Sequence, residues 1–175
     1  FVVSAGSFFQ TNTQVTENLI DYLLEVLPLE KDTVCLDVYC GVGLFSAFLA
    51  PRVKQVIGVE SNHRACEDYL YNLAKFENVA LYDLPAEDAL PELEISPDII
   101  LLDPPRSGLA KLVLDSAVSL APDLIAYISC DPATLARDAQ RLSKQGYSLV
   151  ESTPFDMFPQ TYHIESFNLF RRTSS

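Results

Sequence analysis

Thr33-Val-Cys-Leu-Asp-Val-Tyr-Cys-Gly-Val-Gly43-Leu-Phe-Ser-Ala-Phe-Leu49 is the stretch that decides the fold. Thr33 to Val38 is a short, mostly apolar run rich in β-branched residues. It is too short for a buried helix and is soon bounded by glycine, so it reads as a buried strand. Gly41-Val-Gly43 is a tight turn, and Leu44 to Leu49 opens a helix. A buried strand that passes through a glycine turn into a helix is the start of a unit whose next strand lies parallel to the first.

The flanking sequence repeats that pattern. Upstream, Val15, Leu19, Leu23 and Val26 or Leu27 recur at helical spacing over residues 13–27, with Asn12 or Thr13 as the cap. Downstream, Gln55 to Glu60 is a strand ending in an acid, Asn62 to Phe76 a helix, and Val79 to Tyr82 a strand. Residues 83–97 are acidic and carry prolines, which predicts mainly loop. Asp98-Ile-Ile-Leu-Leu-Asp103 is apolar between its acids, as a strand covered on both faces must be. Leu109 to Leu120 reads as a helix, Leu124 to Ser129 as a strand, and Pro132 to Lys144 as a helix with proline in its first turn. Tyr147 to Thr153 and His163 to Phe170 close the chain as strands, and Thr173 to Ser175 as a frayed tail. The alternation predicts a doubly wound α/β sheet. The last strands have no helix between them, so one of them runs antiparallel.

Bulk properties narrow the function. A chain of 175 residues is one domain with one core, so residues 1–175 are read as a single unit. The opening Phe1-Val-Val, without methionine, predicts a domain excised from a longer chain or separated from an upstream partner. A net charge of −12 argues against strong, independent binding of nucleic acid through its phosphates, although a local basic strip is compatible with it. Cys35, Cys40, Cys66 and Cys130 form no C-x-x-C pair and no secretory signal precedes them. Reduced thiols in a cytoplasm are therefore expected. His63 and Cys66 have no second pair to complete a ligand set, so no metal is expected in this segment. No apolar run is long enough to span a bilayer, and a monomer is expected.

The carboxyl end of the first strand carries a cofactor signal. Asp37 precedes the glycine turn, and Glu60 ends the second strand, where an acid can accept from ribose hydroxyls. The dinucleotide fingerprint G-x-G-x-x-G is incomplete because position 46 is Ser. A carboxylate before the first glycine suits a positive sulfonium better than a pyrophosphate, which favours S-adenosyl-L-methionine. The bland role for Asp37 is a turn cap.

The other strand ends carry chemistry. Asp103-Pro-Pro-Arg106-Ser-Gly108 follows the fourth strand, and its prolines stiffen a loop that bears a carboxylate and a guanidinium. Cys130 follows the fifth strand just before a helix, with Asp131 as N-cap and Pro132 as first helical residue. A helix N-terminus lowers the pKa of a nearby thiol, which makes Cys130 a candidate nucleophile. Glu165, among apolar neighbours at a strand start, is a candidate general base. Arg137, Arg141 and Lys144 recur at helical spacing and form either a phosphate-facing strip or a solvated face.

Ser7-Phe-Phe-Gln10-Thr-Asn12, Asp37-Val-Tyr-Cys-Gly-Val-Gly43, Asp103-Pro-Pro-Arg-Ser-Gly108, Tyr127-Ile-Ser-Cys-Asp-Pro-Ala-Thr134 and Phe158-Pro-Gln-Thr-Tyr-His-Ile-Glu165 occur in this order. Together they resemble the catalytic domain of the RNA uracil-5-methyltransferase family, over nearly the whole chain. The resemblance implies a Rossmann-like S-adenosylmethionine-dependent methyltransferase fold, with a mostly parallel seven-stranded sheet and an antiparallel edge pair. It implies methylation of uracil C5 in tRNA or rRNA through a covalent cysteine–C6 adduct. Cys130 would be the nucleophile and Glu165 the base. Gln10 and Asp103 would hold the cofactor or the uracil edge, and Tyr39, Gly41 and Glu60 would line the cofactor pocket. Asp83, Glu87 or Asp88 would meet the adenine. The family's upstream RNA-binding β-barrel and iron–sulfur cluster have no counterpart in these residues.

Two rival readings differ in class. Asp-Pro-Pro followed by an aromatic serves methylation of exocyclic base nitrogens, but here Arg106 stands in the aromatic's place and Cys130 would have no role. Alternatively the domain binds cofactor as an inactive scaffold without its RNA-binding part.

Overall fold

The computed structural model describes residues 1–4, 12–157 and 164–173. Its elements run α1 (Thr13–Val26), β1 (Val34–Val38), α2 (Leu44–Leu49), β2 (Gln55–Glu60), α3 (His63–Asn72), β3 (Val79–Asp83), α4 (Ala86–Ala89), a 3-10 turn (Leu90–Glu92), β4 (Ile99–Leu102), α5 (Lys111–Ser119), β5 (Leu124–Ser129), α6 (Pro132–Lys144), β6 (Tyr147–Phe155) and β7 (Glu165–Arg172). The strands form one seven-stranded sheet in the order β3-β2-β1-β4-β5-β7-β6. All neighbours are parallel except β7, which is antiparallel to both β5 and β6.

The period of two along each strand sorts the core into two layers. Leu36, Val38, Ile57, Val59, Ile100, Leu102, Ile125 and Tyr127 face one layer, under Ala86 of α4, Val113 and Leu114 of α5 and Leu142 of α6. Cys35, Val56, Ile99, Leu101, Ala126 and Ile128 face the other, under Leu19 and Leu23 of α1 and Phe45 and Leu49 of α2. Every residue of β4 and β5 is buried, so the strand order reverses at a fully covered centre, between β1 and β4. Open α/β sheets bind ligands at the carboxyl ends of the strands beside such a reversal.

Several boundaries differ from the expectation. Residues 83–97 are not mainly loop: Pro85 caps α4, Glu87 and Asp88 occupy its first turn where acids suit the helix dipole, and Ala86, Ala89 and Leu90 are buried. The helix expected to reach Phe76 ends at Asn72, after which Ala74 N bonds Tyr71 O and Phe76 N bonds Leu73 O in tighter turns. The helix expected over 109–120 spans Lys111–Ser119. β6 runs past Thr153 to Phe155, and β7 runs past Phe170 because Arg172 still pairs with Tyr147. His163 lies outside the described residues. No described helix is long and apolar enough to cross a membrane.

Candidate active site

The ends of β1, β2, β4, β5 and β7 converge on one cavity of about 590 Å³. Tyr39, Gly41, Glu60, Asp103, Cys130 and Glu165 line it, and Arg106 stands in its wall. Sequence reading named all of these and the structure brings them together. It did not name Ser61, Val42 or Phe45, which line the same cavity. Ser61 directly follows the strand-ending acid, which was the available signal.

The cofactor end is built by the turn after β1. Tyr39 and Cys40 both donate their amides to Val59 O, which folds the chain back over β2. Tyr39 (φ 65°), Gly41 (φ 54°) and Gly43 (φ 86°) are left-handed, and Gly43 also lacks space for a β-carbon against Leu73 and Tyr69. The Glu60 carboxylate is held from behind: Gly41 N donates to Oε2 at 3.0 Å, and Ser61 N and Asn62 N donate to Oε1 at 2.9 and 2.7 Å. A carboxylate has roughly four lone-pair directions, so these amides leave one on Oε2 for a ligand. Glu60 thus keeps one free acceptor direction, rather than the two that a pair of hydroxyls would need.

Asp37 is fully buried and lies behind the turn rather than on the cavity wall. Its Oδ2 accepts from Ser46 Oγ at 2.6 Å, and Tyr69 OH donates to Ser46 Oγ at 3.2 Å. Asp37 thus anchors α2 to β1, which goes beyond the turn cap of the bland reading. Its Oδ1 has no hydrogen-bond partner among the described residues. Burial is the chief cause that pushes its carboxyl up to about 6. A buried carboxylate short of a donor fits a ligand that carries an ammonium or sulfonium beside the glycine turn.

The chemical end is set by register. Ser129 of β5 pairs with Ser166 of β7 in an antiparallel ladder, so Cys130 and Glu165 continue side by side off its end. Glu165 is 4% exposed, and burial raises its carboxyl, offset by Arg106. Asp103 opens partly into the cavity and is held well above the ordinary carboxylate range by burial, then by Glu165 and Asp37.

Cys130 is half-buried, whereas Cys35, Cys40 and Cys66 are buried, and all four are free thiols. Contrary to expectation, the first free amides of α6 do not turn to Cys130. Asp131 caps α6, and its Oδ1 takes the amides of Ala133 and Thr134 at 2.9 Å each. The free amides of the helix thus serve Asp131, not the thiol. Burial raises the Cys130 pKa, Glu165 and Asp103 raise it further, and Arg106 draws it down.

Other expected residues lie elsewhere. The basic strip of Arg137, Arg141 and Lys144 is not a free phosphate grip. Arg137 Nε and Arg141 Nη1 turn onto the buried Asp138 at 2.9 and 3.3 Å, and only Lys144 of the three is left out of that cluster. None of the adenine candidates Asp83, Glu87 and Asp88 lines the cavity. Asp83 is drawn instead to His63 Nδ1 at 2.8 Å, which lowers its carboxyl. Gln10, and the segment Phe158 to His163, fall outside the described residues.

Known proteins resemble this chain in sequence and fold. A family model described as tRNA (Uracil-5-)-methyltransferase matches residues 1–173. The chain belongs to this family. An uncharacterised RNA methyltransferase of Streptomyces avermitilis is 41% identical to it over 93% of the chain and 39% of that protein. Another, from Clostridium tetani, is 42% identical over 95% of the chain and 37% of that protein. The crystal structure of Pyrococcus abyssi tRNA (uracil-54, C5)-methyltransferase in complex with S-adenosyl-L-homocysteine superposes with a TM-score of 0.81 at 33% identity, covering 94% of this chain and 40% of that one. An N-methyltransferase from Bradyrhizobium japonicum shares the fold alone, with a TM-score of 0.77 at 16% identity. The chain thus has the methyltransferase fold, and it spans about two fifths of the length of the curated relatives it matches.

Proposed function

We propose that this chain is the catalytic part of an enzyme that methylates C5 of uracil in tRNA or rRNA, in the cytoplasm, with S-adenosyl-L-methionine as cofactor. The observation that carries the reading is that Cys130 and Glu165, next beyond the Ser129–Ser166 pair, line one cavity together with Glu60. An amino-methyltransferase has no use for that thiol.

The roles follow from the chemistry. Uracil C5 is a weak nucleophile. The Cys130 thiolate adds to C6, and the C5–C6 electron pair moves toward O4 as an enolate. Arg106 supplies the positive charge that faces both thiolate and enolate, and Asp103 accepts from the uracil N3–H. When bound, the cofactor would supply the sulfonium methyl taken up by C5, with the S–CH3 bond pair leaving on sulfur as a neutral thioether. Glu165 takes the C5 proton. The electrons of that C–H bond restore C5=C6 and expel the Cys130 thiolate. A base whose proton affinity is raised by burial suits that step. After burial, the carboxylate that later acts as base is the next cause of the thiol's raised pKa before substrate binds.

Release of tritium tests the reaction class. RNA labelled with tritium at uracil C5 is incubated with S-adenosyl-L-methionine and the protein at its full natural length. One tritium released per methyl transferred is expected. Methyl transfer without release would place the methyl elsewhere and refute the reading.

A further inference from the structure

Asp138 lies four residues beyond the motif Tyr127–Thr134, and the proposed chemistry leaves it unused. It is fully buried on α6. Its carboxylate gathers Leu109 N at 2.8 Å, Tyr127 OH at 3.0 Å, Arg137 Nε at 2.9 Å and Arg141 Nη1 at 3.3 Å. Arg137 reaches further: its Nη2 donates to Ser107 O at 2.9 Å and to Leu109 O at 3.3 Å. The pair therefore grips the amide of Leu109 and the carbonyls on both sides of Gly108. Gly108 makes this close approach possible, since a β-carbon there would lie 2.5 Å from Arg137 Nη2 and 2.6 Å from Asp138 Oδ2. Gly108 N in turn bonds Pro105 O at 2.8 Å, which closes the turn that displays Arg106.

This clamp joins two elements. One is the β4–α5 loop, which carries Asp103 and Arg106. The other is α6, the helix that begins directly after Cys130 and Asp131. Arg106 is exposed, so its place is set by its loop rather than by packing of its own side chain. The charged groups facing Cys130 are Glu165 from β7, and Asp103 and Arg106 from the β4–α5 loop. Arg137 is not among them. Arg137 can act on the thiol through the loop it holds or along α6 itself, and the Arg106→Ala background separates the two routes.

We propose that Arg137 and Asp138 are positioning residues that fix the Arg106 loop against the Cys130 helix, so that the guanidinium stays beside the nucleophile. The inference rests on the reading of Cys130 as nucleophile. Its test reads the thiol itself and needs neither RNA nor cofactor, so it can fail while the proposed reaction stands.

Rates of Cys130 alkylation by iodoacetamide are measured against pH by intact mass, with Cys130→Ala as the blank for the buried cysteines. Arg106→Ala is expected to slow alkylation near neutral pH by about threefold, through loss of one partly screened charge. Arg137→Ala is expected to slow it similarly, with its pH midpoint moved up. In the Arg106→Ala background it should have no further effect. Arg137→Lys keeps the charge and loses the fork, so it should follow the alanine variant. Arg137 is half-exposed, and urea unfolding confirms that each variant tested is folded. An unchanged profile in Arg137→Ala or Arg106→Ala overturns the inference. So does an additive double variant, or full restoration by Arg137→Lys.

Discussion

Replacement of Gly43 separates backbone strain from packing at the cofactor turn. Gly43 sits at φ +86°, which costs a residue with a β-carbon about 1 kcal/mol. That carbon would also lie 2.3 Å from Leu73 Cδ1 and 2.8 Å from Tyr69 Cδ2. Leu73 and Tyr69 are 1% and 0% exposed, so neither can swing into solvent, and forcing them apart adds about 1–3 kcal/mol. Gly43→Ala should therefore lose about 2–4 kcal/mol, or roughly 5–15 °C in Tm for a domain of this size. Gly41 is the control. It is also left-handed, at φ +54°, but nothing lies within 4 Å of its added carbon. Gly41→Ala should lose about 1 kcal/mol, roughly 3 °C. Circular dichroism melts of both variants and the parent give the comparison. If Gly43→Ala melts at the same temperature as Gly41→Ala, α3 does not pack against the turn as described, and the steric argument fails.

Other consequences can be measured on the same protein. Asp37 has its carboxyl raised from 3.8 to about 6 on folding, so the stability it contributes is complete below its unfolded value and is lost as pH rises through about 6. Asp37→Asn should flatten that fall and leave the ligand-free protein more stable at neutral pH, by up to about 3 kcal/mol in urea titrations; parallel stability curves for parent and variant would rule this out. Glu60→Gln places a donor or a weaker acceptor before the amides of Gly41, Ser61 and Asn62, and should weaken S-adenosyl-L-methionine binding about tenfold or more by calorimetry. Unaltered affinity would remove Glu60 from the site. Glu165→Gln removes a carboxylate that raises Cys130, so alkylation near neutral pH should quicken about two- to fivefold while methyl transfer is lost. Slower alkylation would mean that the two side chains do not face each other.

The sheet was legible because its signals are local. β4 and β5 are short apolar runs covered on both faces, and the glycine turn after β1 dictates the connection to α2. The absence of a helix before the last strand foretold its reversed direction. What sequence missed depends on where side chains point. Acids and prolines over 83–97 read as loop, yet Pro85, Glu87 and Asp88 favour the first turn of a short helix when Ala86, Ala89 and Leu90 have a core to meet. Arg137 and Arg141 read as a phosphate-facing strip or a solvated face because spacing alone cannot reveal an inward partner. A signal was nevertheless present: Leu135, Asp138 and Leu142 share a helical face, so Asp138 stands at a core position and requires donors. The surroundings of the Cys130 thiol are hidden from the sequence for a related reason. Its charge environment comes from Glu165, Asp103 and Arg106, far away in sequence, while Asp131 takes the amides next to it.

Trapping of the covalent adduct tests the central claim most directly. RNA containing 5-fluorouridine is mixed with S-adenosyl-L-methionine and the protein at its full natural length, and the product is read by denaturing intact mass. Fluorine at C5 cannot leave as a proton, so elimination is blocked after methyl transfer. A protein–RNA species with one added methyl, joined at Cys130 and absent from Cys130→Ala, is predicted. Methyl transfer with no covalent species, or an adduct that persists in Cys130→Ala, would contradict the assignment of Cys130 as nucleophile.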